Sequence, residues 1–235
     1  MPSHLPGAAA RPSRIPELAV ARALRSLCRR VTCVLLVSLV PAATACAADA
    51  LAPELVFERA APSVVTVYAA DRYGKVLAQG SGVVVHEGFV LTNCHVLKGA
   101  DYVGLKTASA AVTAELVEVR IDYDLCLLRA SLLRAPPLRR GNALDLRIGQ
   151  RVFALGAPLG LELTFTEGMV SGLRREQGYP LIQTSVPVSP GSSGGALLGP
   201  DGTLVGIITF GAAEGQNLNF ALPIDLLDEF RTLPR

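Results

Sequence analysis

The sequence predicts an all-β protein with a barrel or sandwich architecture. From Ser63 onward, short runs of β-branched and other apolar residues alternate with Gly, Pro, Asp and Asn, as strands alternate with turns. Glu87-Gly88 and Pro200-Asp201-Gly202 mark two of the tight turns. Turn signals at intervals of roughly 8–12 residues are typical of barrels and sandwiches.

About a dozen strands are expected, and the helical segments lie at the two ends of this region. The predicted helices are Pro53–Ala60 and Pro223–Thr232, the second of which carries three large apolar residues. In chain order, the predicted strands are Val64–Ala69, Gly82–Val85, Val90–Thr92, Tyr102–Lys106, Ala114–Ile121, Leu125–Arg129, Val152–Leu155, Thr164–Leu173, Leu181–Thr184, Leu197–Leu198, Leu204–Phe210 and Asn219–Leu222.

Composition and charge exclude several classes of protein. Half of the 235 residues are hydrophobic and 18% are charged, which is too apolar for a disordered chain. No apolar run reaches the roughly 20 residues that a membrane-spanning helix needs, so we expect no integral membrane span. Residues 48–235 carry 16 basic and 19 acidic side chains, so this region has no basic excess for binding nucleic acid.

Residues 1–47 have the three parts of a secretory signal peptide. Arg29-Arg30 precedes the mostly apolar run Val31–Val40, and small residues follow as far as Ala45-Cys46-Ala47. We therefore predict cleavage after Ala47 and an exported protein, periplasmic or secreted. Lipid attachment at Cys46 is an alternative, and a single-span anchor is disfavoured because the apolar run has only ten residues.

Three short motifs bring together the residue types needed for acyl transfer. They are Leu91–Leu97, which contains a histidine, Asp124–Leu128, which begins with an aspartate, and Pro190–Leu197, which contains two serines among three glycines. Each alone has an ordinary structural explanation, as a core histidine, a turn residue or a flexible loop. The three in this order on an all-β background favour a catalytic triad.

The chemistry assigns a separate role to each residue. A serine hydroxyl is a poor nucleophile at neutral pH, so His95 would take the proton of Ser193 as attack proceeds. Asp124 would fix the imidazole tautomer and stabilise the imidazolium. The backbone N–H groups of Gly191 and Ser193 would form an oxyanion hole, and Ser192 is a neighbour of the nucleophile.

The sequence resembles the trypsin-like serine peptidases, and most closely their bacterial HtrA/Deg branch. The shared patterns are Thr-Asn-x-His-Val, Asp-Leu-x-Leu and Gly-x-Ser-Gly-Gly, together with the segments Gly80–Val84, Gly156–Gly160, Thr166–Gly172 and Phe220–Pro223. The resemblance implies two antiparallel six-stranded β-barrels in a protease domain over 48–235. The first barrel, at about 60–133, would supply the histidine and aspartate, and the second, at about 148–223, the nucleophile.

Two departures from the family pattern affect what can be expected. HtrA proteins usually carry PDZ domains after the protease, whereas only twelve residues follow Pro223, so we expect no PDZ domain and leave the oligomeric state open. Ser192 and Cys94 stand where Asn and Ala are usual in the family, and neither change touches the proton transfer.

The resemblance also suggests how a substrate would bind. The position six before the nucleophile, which is acidic in enzymes selective for basic side chains, is Pro187, so we expect cleavage after small or medium apolar residues. Thr209-Phe210-Gly211 matches the segment on which the family's extended polypeptide substrates pair as an added strand. The alternative for Phe210 is an ordinary core aromatic.

If the proposed histidine and aspartate hydrogen-bond, Cys94 and Cys126 come close together, and in an oxidising compartment we expect a disulfide between them. The alternative is two buried thiols acting as small apolar fillers. The sequence has no zinc spacing, nucleotide-binding loop or calcium loop, and His86 is best explained as a turn residue, so neither a metal nor a cofactor is expected.

The leading prediction is therefore an exported serine endopeptidase acting through an acyl-enzyme, for which the family suggests a role in quality control of envelope proteins. The competing prediction is a catalytically silent protein of the protease fold that binds unfolded chains or a partner. The presence of all three triad residues favours the enzyme, because a binding module has no physical need for them together.

Overall fold

The computed structural model describes residues 50–158, 163–176, 178–211 and 217–234. This part of the chain forms two closed antiparallel β-barrels of six strands each, preceded by one short α-helix. The predicted all-β class and the two-barrel architecture are thus confirmed. The predicted signal peptide at 1–47, with Cys46, lies outside the described residues.

The first barrel closes in the order β1-β2-β3-β6-β5-β4. Its strands are β1 (Val64–Ala70), β2 (Val76–His86), β3 (Phe89–Asn93), β4 (Tyr102–Lys106), β5 (Ala111–Arg120) and β6 (Leu125–Arg129). Because β3 pairs with β6, the ends of these two strands are adjacent: Asn93 lies opposite Leu125.

The second barrel closes in the order β10-β11-β12-β9-β8-β7. Its strands are β7 (Arg151–Gly156), β8 (Thr164–Glu176), β9 (Tyr179–Thr184), β10 (Ala196–Leu198), β11 (Leu204–Gly211) and β12 (Asn219–Pro223). β10 pairs with β11 only as far as Ile207, so the last residues of β11 have no β10 residue opposite them.

Alternation along the strands explains how the barrels form cores and also pack together. In β6, Cys126 and Leu128 belong to the apolar interior of the first barrel, whereas Leu125 and Leu127 belong to a second cluster. That cluster also contains Phe153 of the second barrel, so it joins the two barrels. Since side chains of a strand alternate between faces, one apolar strand serves both purposes.

The predicted C-terminal helix Pro223–Thr232 is too long. The chain forms a 3₁₀-helix only over Ile224–Glu229 and becomes extended at Phe230. The next backbone N–H groups, of Arg231 and Thr232, donate to the Glu118 carboxylate at 2.8–3.1 Å and so leave the helical path. Burial alone would raise the pKa of Glu118, but these hydrogen bonds outweigh it and lower the pKa below its ordinary value.

The same C-terminal segment supports the loop that leads to Asp124. The Arg120 guanidinium contacts the carbonyl oxygen of Glu229, and the Tyr123 hydroxyl donates to the Glu229 carboxylate at 3.0 Å. Both contacts lie within four residues of Asp124, so the C-terminal segment helps to hold this part of the first barrel. The helix at Pro53–Ala60 is as predicted, and none of the described helices has the length and apolar character needed to cross a membrane.

Candidate active site

His95 lies in the short 3₁₀-helix Cys94–Leu97, which begins where β3 ends. The backbone N–H of Cys94 donates to the carbonyl of Asp124 at 3.0 Å, which ties the start of this helix to the residue before β6. The pairing of β3 with β6 therefore brings together two residues that are 29 positions apart in sequence.

Asp124 holds His95 through both of its carboxylate oxygens. Oδ2 lies 2.5 Å from His95 Nδ1, and Oδ1 accepts the backbone N–H of His95 at 2.8 Å. Because a carboxylate only accepts hydrogen bonds, the imidazole proton resides on Nδ1 and the neutral ring keeps Nε2 as an acceptor. Asp124 reaches this position with a left-handed φ of +55°, a conformation that aspartate tolerates better than most residues.

Asn93 is a buried residue that supports this arrangement, and the sequence motifs indicate no catalytic role for it. Its amide nitrogen donates to the Asp124 carbonyl at 3.0 Å and lies 3.3 Å from the Thr209 hydroxyl oxygen. Asn93 therefore links the aspartate of the first barrel to β11 of the second. The Thr-Asn-x-His-Val pattern contains this asparagine. Its partner in β11 is 116 residues away, so the local sequence does not predict the contact.

Cys94 and Cys126 are joined by a disulfide bond, with their Cα atoms 5.0 Å apart. The bond connects the residue before His95 with the second residue of β6, which begins immediately after Asp124. The two cysteines are 32 positions apart. In the chain-entropy account, closing a loop of this length stabilises the folded state by about 3–4 kcal/mol. The bond thus reinforces the same β3–β6 junction that presents the histidine and the aspartate.

The segment before Ser193 forms a tight turn next to two backbone N–H groups that could bind an oxyanion. The N–H of Ser192 donates to the carbonyl of Ser189 at 2.9 Å, and Gly191 has a φ of +95°. A positive φ at the third position is typical of a type II turn, where it is about +80°. Within the described residues, the backbone N–H groups of Gly191 and Ser193 have no hydrogen-bond acceptor, which leaves both donors available.

The Ser193 hydroxyl does not donate to His95 in this structure. It donates instead to the carbonyl oxygen of Thr209 at 2.9 Å. Proton transfer from Ser193 to the imidazole therefore requires the hydroxyl to leave this carbonyl first.

A cleft of about 800 Å³ contains His95 and Ser193 together. The four residues predicted to bind substrate, Pro187, Thr209, Phe210 and Gly211, all line the same cleft. Phe210 is 43% exposed and packs against Phe220 with ring centroids 5.0 Å apart, so it is not a core aromatic.

The trypsin-like peptidase domain profile matches residues 80–207, which include the histidine, the aspartate and the serine described above. The chain belongs to this family. It is 37% identical over 156 residues to a probable periplasmic serine endoprotease of the DegP-like type from Halomonas elongata, covering 63% of this chain and 33% of that protein. It is 36% identical over 203 residues to the chloroplastic protease Do-like 1 of Arabidopsis thaliana, covering 75% of this chain and 46% of the relative.

Among solved structures, this trypsin-like peptidase domain resembles the HtrA-type protease AlgW with a bound tripeptide. The TM-score is 0.71 at 33% sequence identity, and the match covers 76% of this chain and 62% of that one. The chain thus spans about a third to a half of the length of the two curated relatives. In the described part of the chain, His, Cys, Asp and Glu side chains form no group of three that would hold a metal ion.

Proposed function

We propose that the protein is a serine endopeptidase in which Ser193 is the nucleophile, His95 the general base and Asp124 the residue that orients the base. The observation that carries this proposal is the double hydrogen bond from His95 to Asp124, together with the cleft that His95 and Ser193 both line. It supports the neutral tautomer with Nε2 free to accept a proton, which is the state a general base requires.

The reaction would proceed in two halves. Ser193 Oγ attacks the carbonyl carbon of a peptide bond and passes its proton to Nε2 of His95, while the N–H groups of Gly191 and Ser193 bind the oxyanion. The C–N bond then breaks, His95 protonates the leaving amine, and an acyl-enzyme remains on Ser193. Water, activated by the same imidazole, hydrolyses this ester and restores the enzyme.

Substrate binding would also prepare the nucleophile. A polypeptide strand added along Thr209–Gly211 places a backbone N–H near the Thr209 carbonyl, where it competes with the Ser193 hydroxyl. Release of that hydroxyl makes it available to His95. The substrates are accordingly extended or unfolded segments of polypeptide.

The proposed setting is the periplasm or the exterior, with residues 1–47 as the signal peptide, 48–235 as the protease domain and Cys46 as the alternative site of a lipid anchor. The DegP-like relatives are periplasmic by name, and the Cys94–Cys126 disulfide suits an oxidising compartment. We further propose that the protein degrades damaged envelope proteins.

A fluorophosphonate probe tests the assignment of the nucleophile. The native protein should react with the probe, and mass spectrometry should place the adduct on Ser193 and not on Ser189 or Ser192, because Ser193 is the serine that the Gly-x-Ser-Gly-Gly pattern assigns as the nucleophile. As the labelled fraction of the enzyme rises, its cleavage of unfolded casein should fall in proportion. Heat-denatured enzyme is the control that should not react with the probe. A native protein that neither labels nor cleaves would exclude the peptidase.

Specificity provides a second test. The cleft wall includes the apolar side chains of Pro187, Val188 and Ile208, and none of its described lining residues is Asp or Glu. We therefore expect a peptide library to be cut after small or medium apolar residues, because a basic side chain would find no carboxylate among these described residues. A dominant preference for Arg or Lys would contradict this.

The second candidate function is a non-cleaving protein that binds unfolded chains or a partner in the same cleft. The observation in its favour is the Ser193 hydroxyl, which is hydrogen-bonded to the Thr209 carbonyl and not to His95. Binding of unfolded casein without cleavage, combined with no reaction at Ser193, would support it over the enzyme.

A further inference from the structure

Ser81 is a fully buried residue of β2 that connects the first barrel to the loop around Ser193. Its hydroxyl donates to the carbonyl oxygen of Gly191 at 2.8 Å and accepts the N–H of Ala157 at 2.8 Å. Its own N–H donates to the carbonyl of Ser193, also at 2.8 Å. One residue of the first barrel thus makes three hydrogen bonds to the second.

Hydrogen bonds hold the peptide planes that set the directions of the Gly191 and Ser193 N–H groups. Between Gly191 and Ser192, the carbonyl is held by the Ser81 hydroxyl and the N–H by the Ser189 carbonyl, so this peptide is held from both sides. The carbonyl of the next peptide, on Ser192, accepts the N–H of Gly195 at 2.9 Å. The second of these peptides carries the Ser193 N–H itself, and the first adjoins the peptide that carries the Gly191 N–H, so the directions of both N–H groups depend on these bonds.

The glycine before Ser81 permits this close approach. A side chain on Gly80 would place its Cβ 2.7 Å from Val96 and 3.1 Å from the Ser193 carbonyl oxygen. The backbone of β2 therefore lies directly against that of Ser193.

We propose that Ser81 is a positioning residue for the oxyanion hole: its hydroxyl anchors the Gly191 carbonyl and so keeps the N–H groups of Gly191 and Ser193 directed at the reacting carbonyl. The proposal rests on the peptidase function proposed above. Without the hydroxyl, the partly buried Gly191 carbonyl loses its partner, and the glycine offers little resistance to rotation of the adjoining peptides. Oxyanion stabilisation needs donors that are fixed before the reaction begins. If the peptides of the turn rotate, the N–H groups point in several directions and the rate falls.

A positioning role and a purely structural one predict different kinetics. Loss of the oxyanion hole weakens binding of the tetrahedral state more than binding of the substrate, so kcat falls while KM changes little. A peptide boronate, which forms a tetrahedral adduct with the serine, should lose affinity in step with kcat. General destabilisation would instead reduce the amount of active enzyme and leave both constants of the folded molecules unchanged.

The experiment compares Ser81→Ala with Thr184→Val, a matched control in β9. The Thr184 hydroxyl is also buried, donates to a carbonyl (Met169, 2.9 Å) and accepts a backbone N–H (Val186, 3.2 Å), but it does not line the cleft. The measurements are kcat and KM on a tripeptide p-nitroanilide ending in valine, and Ki for the boronate of the same tripeptide. Active-site titration corrects for the fraction folded.

For Ser81→Ala we expect kcat to fall about 10–100-fold and the boronate Ki to rise by a similar factor, with KM within about twofold. These losses are below the about 10²–10³-fold that follows direct removal of an oxyanion donor. Thr184→Val should keep the wild-type kcat and Ki. If Ser81→Ala does not fold, Ser81→Cys keeps a donor at this position, though a larger and weaker one, and should show a smaller loss of the same kind.

A wild-type kcat and Ki in both Ser81 variants would overturn the positioning role while leaving the peptidase intact. Equal losses of kcat in Ser81→Ala and Thr184→Val would also overturn it, because they would show that the loss does not depend on a contact with the Gly191 carbonyl. A wild-type protein inactive on the substrate and on fluorophosphonate would instead overturn the proposed function, and this proposal with it.

Discussion

Asp124→Asn should lower kcat about 10⁴-fold and leave the protein folded. In a serine protease with the same three-residue arrangement, this exchange has an effect of that size because the amide favours the wrong imidazole tautomer. Here the introduced amide group, facing His95 Nδ1, would donate a hydrogen bond to it, and the imidazole proton would then reside on Nε2. An imidazole protonated at Nε2 cannot accept the Ser193 proton.

The matched control is Asp122→Asn, two residues earlier. It removes the same charge from an exposed position in the 3₁₀-turn that precedes Asp124 and involves no contact with His95. Both variants should be measured for kcat and KM on the tripeptide p-nitroanilide, and for thermal unfolding by circular dichroism. An Asp124→Asn enzyme within tenfold of the wild-type kcat, or an Asp122→Asn enzyme equally impaired, would show that Asp124 does not orient the base.

Local chemistry in the sequence was sufficient to predict most of the strands, because apolar runs and turn residues mark them directly. Tyr102–Lys106 and Leu125–Arg129 have the predicted limits, and Gly88 and Gly202 have the positive φ that their turn signals require. β2 begins at Val76, six residues before the predicted start, because its first two residues are exposed and the next four, Ala78–Ser81, are small or polar. Such residues pair in a strand only because β1 lies beside them.

The C-terminal helix illustrates why element limits depend on tertiary contacts. Its apolar residues predicted helix as far as Thr232, but the Glu118 carboxylate of β5 binds the N–H groups of Arg231 and Thr232. A partner more than a hundred positions away thus ends the helix at Glu229. Nothing in the local sequence indicates that competition.

The candidate site likewise has features that the local sequence predicts and features that depend on long-range contacts. The sequence motifs identified the residue types that carry the chemistry, whereas the supporting contacts of Ser81 to Gly191 and of Asn93 to Thr209 join positions 110 and 116 residues apart. These contacts become apparent only once the two barrels are packed together. The Ser193 hydroxyl on the Thr209 carbonyl is a choice of rotamer, for which a sequence carries no signal.

Gly194→Ala should be the most damaging glycine substitution next to the site. Gly194 has a φ of +85°, and an added Cβ would overlap the Ser81 carbonyl oxygen and lie 2.5 Å from the Thr92 hydroxyl oxygen. Neither neighbour is the free end of a flexible side chain, so the loop that carries Ser193 must move. Because a displacement of about 1 Å in an active site costs on the order of 10²-fold, we expect kcat/KM to fall at least about 100-fold.

Gly149→Ala separates the effect of the overlap from that of the backbone conformation. Gly149 has nearly the same φ, +86°, and like Gly194 it donates its N–H to a carbonyl at 2.8 Å, but its Cβ would meet nothing within 4 Å. Both variants incur the about 1–2 kcal/mol cost of a left-handed alanine, and only Gly194→Ala adds overlap, which typically costs a further 1–3 kcal/mol or so. Urea unfolding together with kcat/KM of the folded fraction measures both. The two variants could lose the same stability while Gly194→Ala keeps the wild-type kcat/KM. That result would show that activity does not depend on the close packing of β2 against the Ser193 loop.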